Sequence, residues 1–141
     1  MPPSIVLDTN VLIAGLRSRN GASFRLLSVI GEAKFELNVS VPLVLEYEEV
    51  AKREARALGL THAEIDDVLD YLCAVAVHRE IYFLWRPVLR DAADDMVLEV
   101  AVEAGCDFLV THNARDFAGA ERFGVRVVTP GEFLKRIGVL P

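Results

Sequence analysis

The chain has 141 residues, 52% hydrophobic and 26% charged, which is enough for one domain with a sizeable core. Its net charge of −6 argues against a generic nucleic-acid binder with a basic surface, and no apolar run approaches the ~20 residues of a membrane helix. Cys73 and Cys106 are too few for a disulfide framework, and a strand begins after three residues, leaving no room for a signal peptide. We therefore expect buried thiols in a cytoplasmic protein.

The first half of the chain predicts two strands, each followed by helices. Residues 5–7 are apolar without alternation, which is typical of a strand buried on both faces of a parallel sheet. Pro42 suits the first position of a helix, and Thr61 with Glu64 forms a capping box before another. The pattern predicts helices over 11–16 and 22–30, a second strand over 35–41 and a helical hairpin over about 42–77.

The second half continues the alternation of strands and helices. Such alternation predicts an α/β fold in which helices cover both faces of a parallel sheet. We find no repeat or linker, and we expect a single domain over residues 1–141. The predicted elements are a third strand over 81–85, a helix over 91–104, a fourth strand over 107–110, a polar loop over 111–117, a fifth strand over 125–128 and a closing helix over 130–137.

Asp8 is the first candidate for a chemical role. It follows the first strand directly and so lies at the carboxyl edge of the sheet, where open α/β sheets bind their ligands. The alternative is an N-cap of the next helix. Glu46 lies in the first turn after the second strand, close to the same edge, although the helix dipole alone would favour an acid there. Glu54 shares the apolar stripe of that helix but lies about 12 Å farther along.

Two more acids are candidates in the second half. Asp94 faces the core side of its helix, although an acid at a helix N-terminus also has a purely structural use, and Asp91 is the natural N-cap. Asp116 lies in the loop after the fourth strand, with an N-cap of a short helix as the alternative. We expect the acids on the opposite face of the 91–104 helix to be solvated surface: Asp95, Glu99 and Glu103.

Three or four carboxylates at one sheet edge would repel each other unless a cation lay among them. Oxygen ligands suit hard divalent ions, so Mg²⁺ or Mn²⁺ is the expected cofactor. The three histidines are dispersed, which argues against a zinc site, and His112 is a candidate substrate contact. Thr111 and Asn113 either shape the loop or hydrogen-bond to carboxylates and water.

Four motifs, in the right order and spread over nearly the whole chain, resemble those of the PIN-domain ribonucleases. More closely, they resemble those of bacterial PIN toxins of type II toxin–antitoxin systems. The motifs lie at residues 6–11, 41–46, 90–95 and 109–117. The resemblance implies a three-layer α/β/α sandwich with a mainly parallel five-stranded sheet, in which the first strand is central and the fourth lies beside it.

The resemblance also implies which residues form the site. The catalytic and metal-binding residues would be Asp8, Glu46, Asp94 and Asp116, with Thr9, Asn10, Thr111 and Asn113 as supporting polar residues. For the fourth ligand, Asn113 is the neutral rival to Asp116. The implied activity is Mg²⁺- or Mn²⁺-dependent endonucleolytic hydrolysis of single-stranded RNA. The implied partners are a cognate antitoxin and a second copy of the chain, and Arg17, Arg19 and Arg115 are candidates to hold phosphates.

Two other functions remain open at this stage. A PIN-like module could bind RNA or protein without cutting, since no sequence demonstrates turnover. An aspartate-based phosphoryl-transfer domain would use Asp8 as its nucleophile. Against the latter, a phosphatase of this kind normally carries a second Asp two residues on, where this chain has Asn10. A receiver domain would normally carry a lysine near the last strand, and residues 125–128 offer none.

Overall fold

A computed structural model describes residues 2–81, 89 and 91–141. Its five strands are β1 (Ser4–Leu7), β2 (Glu36–Val39), β3 (Val77–His78), β4 (Phe108–Val110) and β5 (Arg126–Val128). They form one sheet in the order β3-β2-β1-β4-β5, and every neighbouring pair is parallel. This confirms the prediction that the first strand is central and that the fourth lies beside it.

Helices connect the strands and cover both faces of the sheet, which confirms the three-layer α/β/α fold. They are α1 (Thr9–Arg17), α2 (Ala22–Ser28), α3 (Val41–Arg53), α4 (Ala55–Leu58), α5 (His62–Val75), α6 (Ala92–Ala104) and α7 (Pro130–Arg136). Two short 3₁₀ helices, Ala114–Phe117 and Ala120–Phe123, lie between β4 and β5. In the described residues, no helix is both long enough and apolar enough to cross a membrane.

Side-chain caps fix where several of these helices begin. The hydroxyl of Ser40 accepts a hydrogen bond from the Leu43 N–H, 3.2 Å away, at the start of α3. The predicted capping box of Thr61 and Glu64 is present at α5. A second capping box, formed by Thr129 with Glu132, starts α7. These caps satisfy backbone N–H groups that the first turn of a helix leaves without partners.

The core lies between the sheet and its helices. The central strand is almost fully buried at Ile5, Val6 and Leu7, which is why its apolar run does not alternate. Helix α2 packs against α1 and α7, while α3 packs against α5 and α6. Phe133 of α7 contacts Phe35 and Phe108 edge-on, with ring centroids 5.4 and 5.5 Å apart. Such edge-to-face pairs favour a single packing of the helix on the sheet.

Several predicted elements differ from the observed ones. The third strand lies at Val77–His78, and the predicted strand over 81–85 lies outside the described residues except for Ile81, which is not in a strand. The first arm of the helical hairpin predicted over about 42–77 is divided into α3 and α4 at Glu54. Part of the predicted polar loop after β4 forms the 3₁₀ helix Ala114–Phe117. The assignment of the whole chain to one domain stays a prediction.

The expectation that the far face of α6 is solvated was wrong for two of its three acids. Asp95 is 1% exposed and Glu99 is 2% exposed, whereas Glu103 is exposed. The backbone N–H of Leu89 donates to Asp95 Oδ1 over 2.9 Å, so this carboxylate contacts a residue that precedes the helix. Helical periodicity within α6 cannot reveal a contact made from outside the helix. Of the two thiols expected to be buried, Cys106 is buried and Cys73 only half-buried.

Candidate active site

The register of the two central strands brings Asp8 and Thr111 together. Leu7 pairs with Val110, so the next residue of each strand lies at the same point of the carboxyl edge. The backbone N–H of Asp8 extends the ladder by donating to the Val110 carbonyl, 2.9 Å away. The buried hydroxyl of Thr111 then donates to Asp8 Oδ2 over 2.6 Å. Asp8 occupies the N-cap position of α1 but makes no side-chain capping bond, which weakens the purely structural alternative.

Glu46 reaches the same edge because α3 is anchored there. The neighbouring residue, Tyr47, is fully buried, and its hydroxyl donates to the carbonyl of Leu7, one residue before Asp8. This bond joins the second turn of α3 to the end of β1. Helical periodicity predicts only that Tyr47 faces the core, and it does not reveal the bond that positions α3. The general rule that a buried tyrosine hydroxyl has a hydrogen-bond partner could have indicated such a bond.

The first turn of α6 supplies the third acid. Asp91 is the N-cap, as predicted: its Oδ1 accepts a hydrogen bond from the Ala93 N–H over 2.9 Å. Asp94 is half-buried and lines the same cavity as Asp8 and Glu46. Asp91 lines it too, although its position in the sequence predicts only a capping role.

Asp116 completes the group from the 3₁₀ helix after β4. It lies inside that helix, with Asn113 at the N-cap position, so the alternative reading of Asp116 as an N-cap was wrong. The resulting cavity, which we call the acidic cleft, has a volume of about 370 Å³. Its lining includes Asp8, Glu46, Asp94 and Asp116 together with Thr9, Asn10 and Asn113. Asp91, Asp94 and Asp116 also line an adjoining hollow of about 600 Å³.

Burial and mutual repulsion leave the acidic cleft poorly suited to holding several negative charges. Burial, followed by the charges of Asp8, Asp91 and Asp116, raises the pKa of Asp94 from 3.8 to about 7. Burial also raises the pKa of Asp8, despite the opposing effect of the hydrogen bond from Thr111. The pKa of Glu46 is raised by burial and then by the charge of Glu49. A cation in the cleft would offset this repulsion.

A hydrogen-bonded polar network surrounds Asp8. Asn10 Nδ2 donates to Thr111 Oγ1 over 3.5 Å, and Asn10 Oδ1 accepts from the backbone N–H of His112 over 3.3 Å. The backbone N–H of Asn113 donates to Thr111 Oγ1 over 3.0 Å. His112 Nε2 lies 2.7 Å from the hydroxyl of Ser23 in α2. Thr111 is therefore both a loop former and a partner of the carboxylate, which were the two roles weighed for it.

Two arginines border the acids. Arg17 lines the acidic cleft and forms an ion pair with Glu54, with Arg17 Nη2 3.0 Å from Glu54 Oε1. Arg115 lines the adjoining hollow. Sequence distance had set Glu54 aside as too far along the helix, yet it lines the same cleft as Glu46. The cleft extends along α3 as far as Glu54. Distance from the sheet edge, the criterion used to exclude Glu54, therefore does not predict how far the cleft reaches.

The donor set of the cleft fits a hard divalent ion. Carboxylate and amide oxygens are the ligands that Mg²⁺ and Mn²⁺ prefer, and the cleft is lined by both. Among the described residues, no three His, Cys, Asp or Glu side chains are already gathered closely enough to form a metal site.

Comparison with known proteins places this geometry in a family. The PIN domain family matches residues 4–115. Among solved structures, a chain from the crystal structure of VapBC2 from Rickettsia felis, bound to a DNA fragment from their promoter, is similar at a TM-score of 0.61 and 11% identity. The match covers 89% of this chain and 98% of that one. No curated protein matches significantly in sequence.

The chain therefore belongs to the PIN-domain family. PIN domains are generally nucleases, and they typically use divalent metal ions. The likeness to the Rickettsia chain confirms the fold alone.

Proposed function

We propose that this protein is a metal-dependent endoribonuclease that hydrolyses phosphodiester bonds of single-stranded RNA. The observation that carries the proposal is the acidic cleft. Four carboxylates from separate parts of the chain, Asp8, Glu46, Asp94 and Asp116, line one cavity at the carboxyl edge of a PIN-domain sheet. Gathering four acids in one cavity is electrostatically unfavourable. Burial and the charges of the neighbouring acids together raise the pKa of Asp94 to about 7.

The proposed residue roles follow from position. Asp8, Asp94 and Asp116 would hold one or two Mg²⁺ or Mn²⁺ ions, and Glu46 would ligate a second ion or orient the attacking water. When bound, the metal lowers the pKa of a water and stabilises charge on the phosphoryl oxygens. Thr111 orients the Asp8 carboxylate through its 2.6 Å hydrogen bond, and Tyr47 holds the helix that carries Glu46. Thr9, Asn10 and Asn113 contribute polar groups at the wall of the cleft.

The recess of the cleft supports a single-stranded substrate. Asp8 is only 7% exposed, so the reacting phosphate must come close to the sheet edge. An unpaired strand can bend its backbone and splay its bases to do so, whereas the narrow major groove and paired bases of a duplex restrict such an approach. The negative charge of the cleft would be offset by the bound cation.

A role as the toxin of a toxin–antitoxin pair is the biological context we propose. It is supported by the resemblance of the four sequence motifs to bacterial PIN toxins and by the fold similarity to a chain of a VapBC2 complex. The partner would then be a cognate antitoxin protein, and the chain would form a homodimer. Mass spectrometry of the proteins that co-purify with the tagged chain from its native cells tests the first, and the molar mass of the purified chain in solution tests the second.

Cleavage of RNA tests the activity. Purified protein with Mn²⁺ should cut a single-stranded oligoribonucleotide, and Asp8→Asn should reduce the rate by at least about a hundredfold, because a charged ligand at the buried end of the cleft is lost. Asp67→Asn, on the exposed face of α5, is the matched control and should cut like the wild type.

Equal cutting by Asp8→Asn and wild type would overturn the site assignment. Binding of RNA without any metal-dependent cutting by the wild type would favour a non-catalytic PIN module instead.

A further inference from the structure

The ion pair between Arg17 and Glu54 lies at the solvent-exposed rim of the acidic cleft. Arg17 is in the last turn of α1, and Glu54 lies at the junction of α3 and α4. Both side chains line the same cavity as Asp8, Glu46 and Asp94. The pair thus joins two walls of the cleft that are 37 residues apart in the chain.

Arg17 differs in charge from its surroundings. Among the described residues that line the acidic cleft, Arg17 is the only lysine or arginine. The other charged members of the lining, including Glu46, Asp91 and Asp116, are acids. A polyanion entering this cavity therefore meets one guanidinium among the acids. Arg115 lines the adjoining hollow but not the cleft itself, so a second positive charge borders the acids that the two cavities share.

The pair is held loosely enough to exchange. The Arg17 side chain is 56% exposed and that of Glu54 is 34% exposed, with 3.0 Å between the charged atoms. An ion pair exposed to this degree contributes little to stability, because water screens the charges and two long side chains must be ordered. A phosphodiester presents two oxygens that match the planar guanidinium at least as well as a carboxylate does.

We propose that Arg17 is a phosphate-binding residue of the acidic cleft and that Glu54 holds it in position until the RNA backbone replaces the carboxylate. The RNA phosphate concerned lies beside the scissile one, on the side of the cleft formed by α1 and the α3–α4 junction. Glu54 then acts through Arg17 only, as the carboxylate that the phosphate must displace. The identity of the ligand as RNA rests on the proposed function, whereas exchange of the ion pair with a backbone phosphate does not.

Binding of a fluorescent single-stranded oligoribonucleotide tests the proposal. The measurement uses Asp8→Asn protein with Mn²⁺, so that cutting does not interfere. Arg17→Ala should raise the Kd roughly tenfold and reduce the slope of log Kd against log salt by about 0.7, the value for one lost phosphate contact on a single strand. Arg17→Lys should keep most of that slope because the charge remains. Arg126→Ala, exposed at the start of β5 and far from the cleft, is the matched control.

A double-mutant comparison isolates the role of Glu54. Glu54→Gln should lower the Kd about threefold, because it frees the guanidinium, and should have no effect when Arg17 is already alanine. Glu36→Gln, at the opposite edge of the sheet, controls for the change in net charge.

Three results would overturn the proposal. The first is an Arg17→Ala protein with the Kd and salt slope of Arg126→Ala. The second is a Glu54→Gln effect that persists without Arg17, which would show a general electrostatic effect of the acid. The third is an Arg17→Ala protein that binds RNA more weakly and has a lower Tm, but has the same dependence of Kd on salt as the protein that keeps Arg17. That result would show that Arg17 has only a structural role. Failure of the wild type to cut RNA would overturn the proposed function but not a binding result at Arg17.

Discussion

At the scale of single residues, Asp94 couples the charge of the cleft to the stability of the fold. Its pKa is raised from 3.8 to about 7, first by burial and then by the charges of Asp8, Asp91 and Asp116. Between these two pH values the folded protein binds more protons at this residue than the unfolded chain does. The free energy of unfolding of metal-free protein should therefore fall as the pH rises from about 4 to about 7.

Asp94→Asn should remove this contribution. In the presence of a chelator at about pH 8, the variant should have a higher Tm than the wild type, because repulsion within the cleft is reduced. At about pH 4 the two proteins should differ little, since Asp94 is then protonated in the folded state. Thermal unfolding across this range, with Asp67→Asn as the exposed control, measures the effect. A wild-type Tm that exceeds the Tm of Asp94→Asn by a growing margin as the pH rises would contradict this prediction.

At the scale of elements, the close approach of α1 and α2 depends on Gly15. A Cβ at this position would clash with Leu27 Cδ1 and lie 3.0 Å from Leu27 Cγ and 3.2 Å from the carbonyl oxygen of Ser23. Helix α1 begins directly after Asp8, and Ser23 of α2 contacts His112 in the loop after β4. The spacing of these two helices therefore affects the wall of the cleft.

Gly15→Ala should destabilise the protein by about 1–3 kcal/mol, because backbone and side chain must move apart to admit the methyl group. Gly131→Ala in α7 is the control: its nearest neighbour is 4.0 Å from the new Cβ, so helix propensity should leave it neutral or stabilised by up to ~1 kcal/mol. Chemical denaturation of both variants measures the difference. Equal free energies of unfolding for the two variants would contradict the prediction, because they would show that α1 and α2 can separate to admit the methyl group without loss of stability.

At the scale of the whole molecule, the cleft joins parts of the chain that are far apart in sequence, so a bound cation should stabilise the entire fold. At a concentration about 100 times its Kd, Mn²⁺ should add about 2.7 kcal/mol to the free energy of unfolding. The same titration separates Asp116 from Asn113 as the fourth ligand.

Asp116→Asn should weaken Mn²⁺ binding by roughly tenfold or more, and Asn113→Ser by less, if the acid is the ligand. Calorimetric titration of both variants beside the wild type gives the two affinities. The reverse order would make Asn113 the ligand, and equal stabilisation of an Asp8→Asn, Asp94→Asn double variant would show that the cation binds outside the cleft.

Much of the fold could be predicted from sequence because local rules decide it. The unalternating run at residues 5–7 reflects burial of β1 on both faces, and the capping box of Thr61 with Glu64 marks where α5 begins. The choice of Asp94 over Asp91 rested on helix geometry, and Asp91 is indeed the cap. The roles of Asp8, Glu46, Asp94 and Asp116 in catalysis stay predictions, although the structure gathers all four around one cleft.

Which strands end in polar residues, and which helices carry acids near those ends, can be predicted from sequence because period and capping depend on neighbouring residues. Contacts between distant segments became known from the three-dimensional packing alone. The bond from Tyr47 to the Leu7 carbonyl and the pairing of Arg17 with Glu54 are of this kind. Each depends on how two separate elements pack, and no local pattern encodes the distance between them.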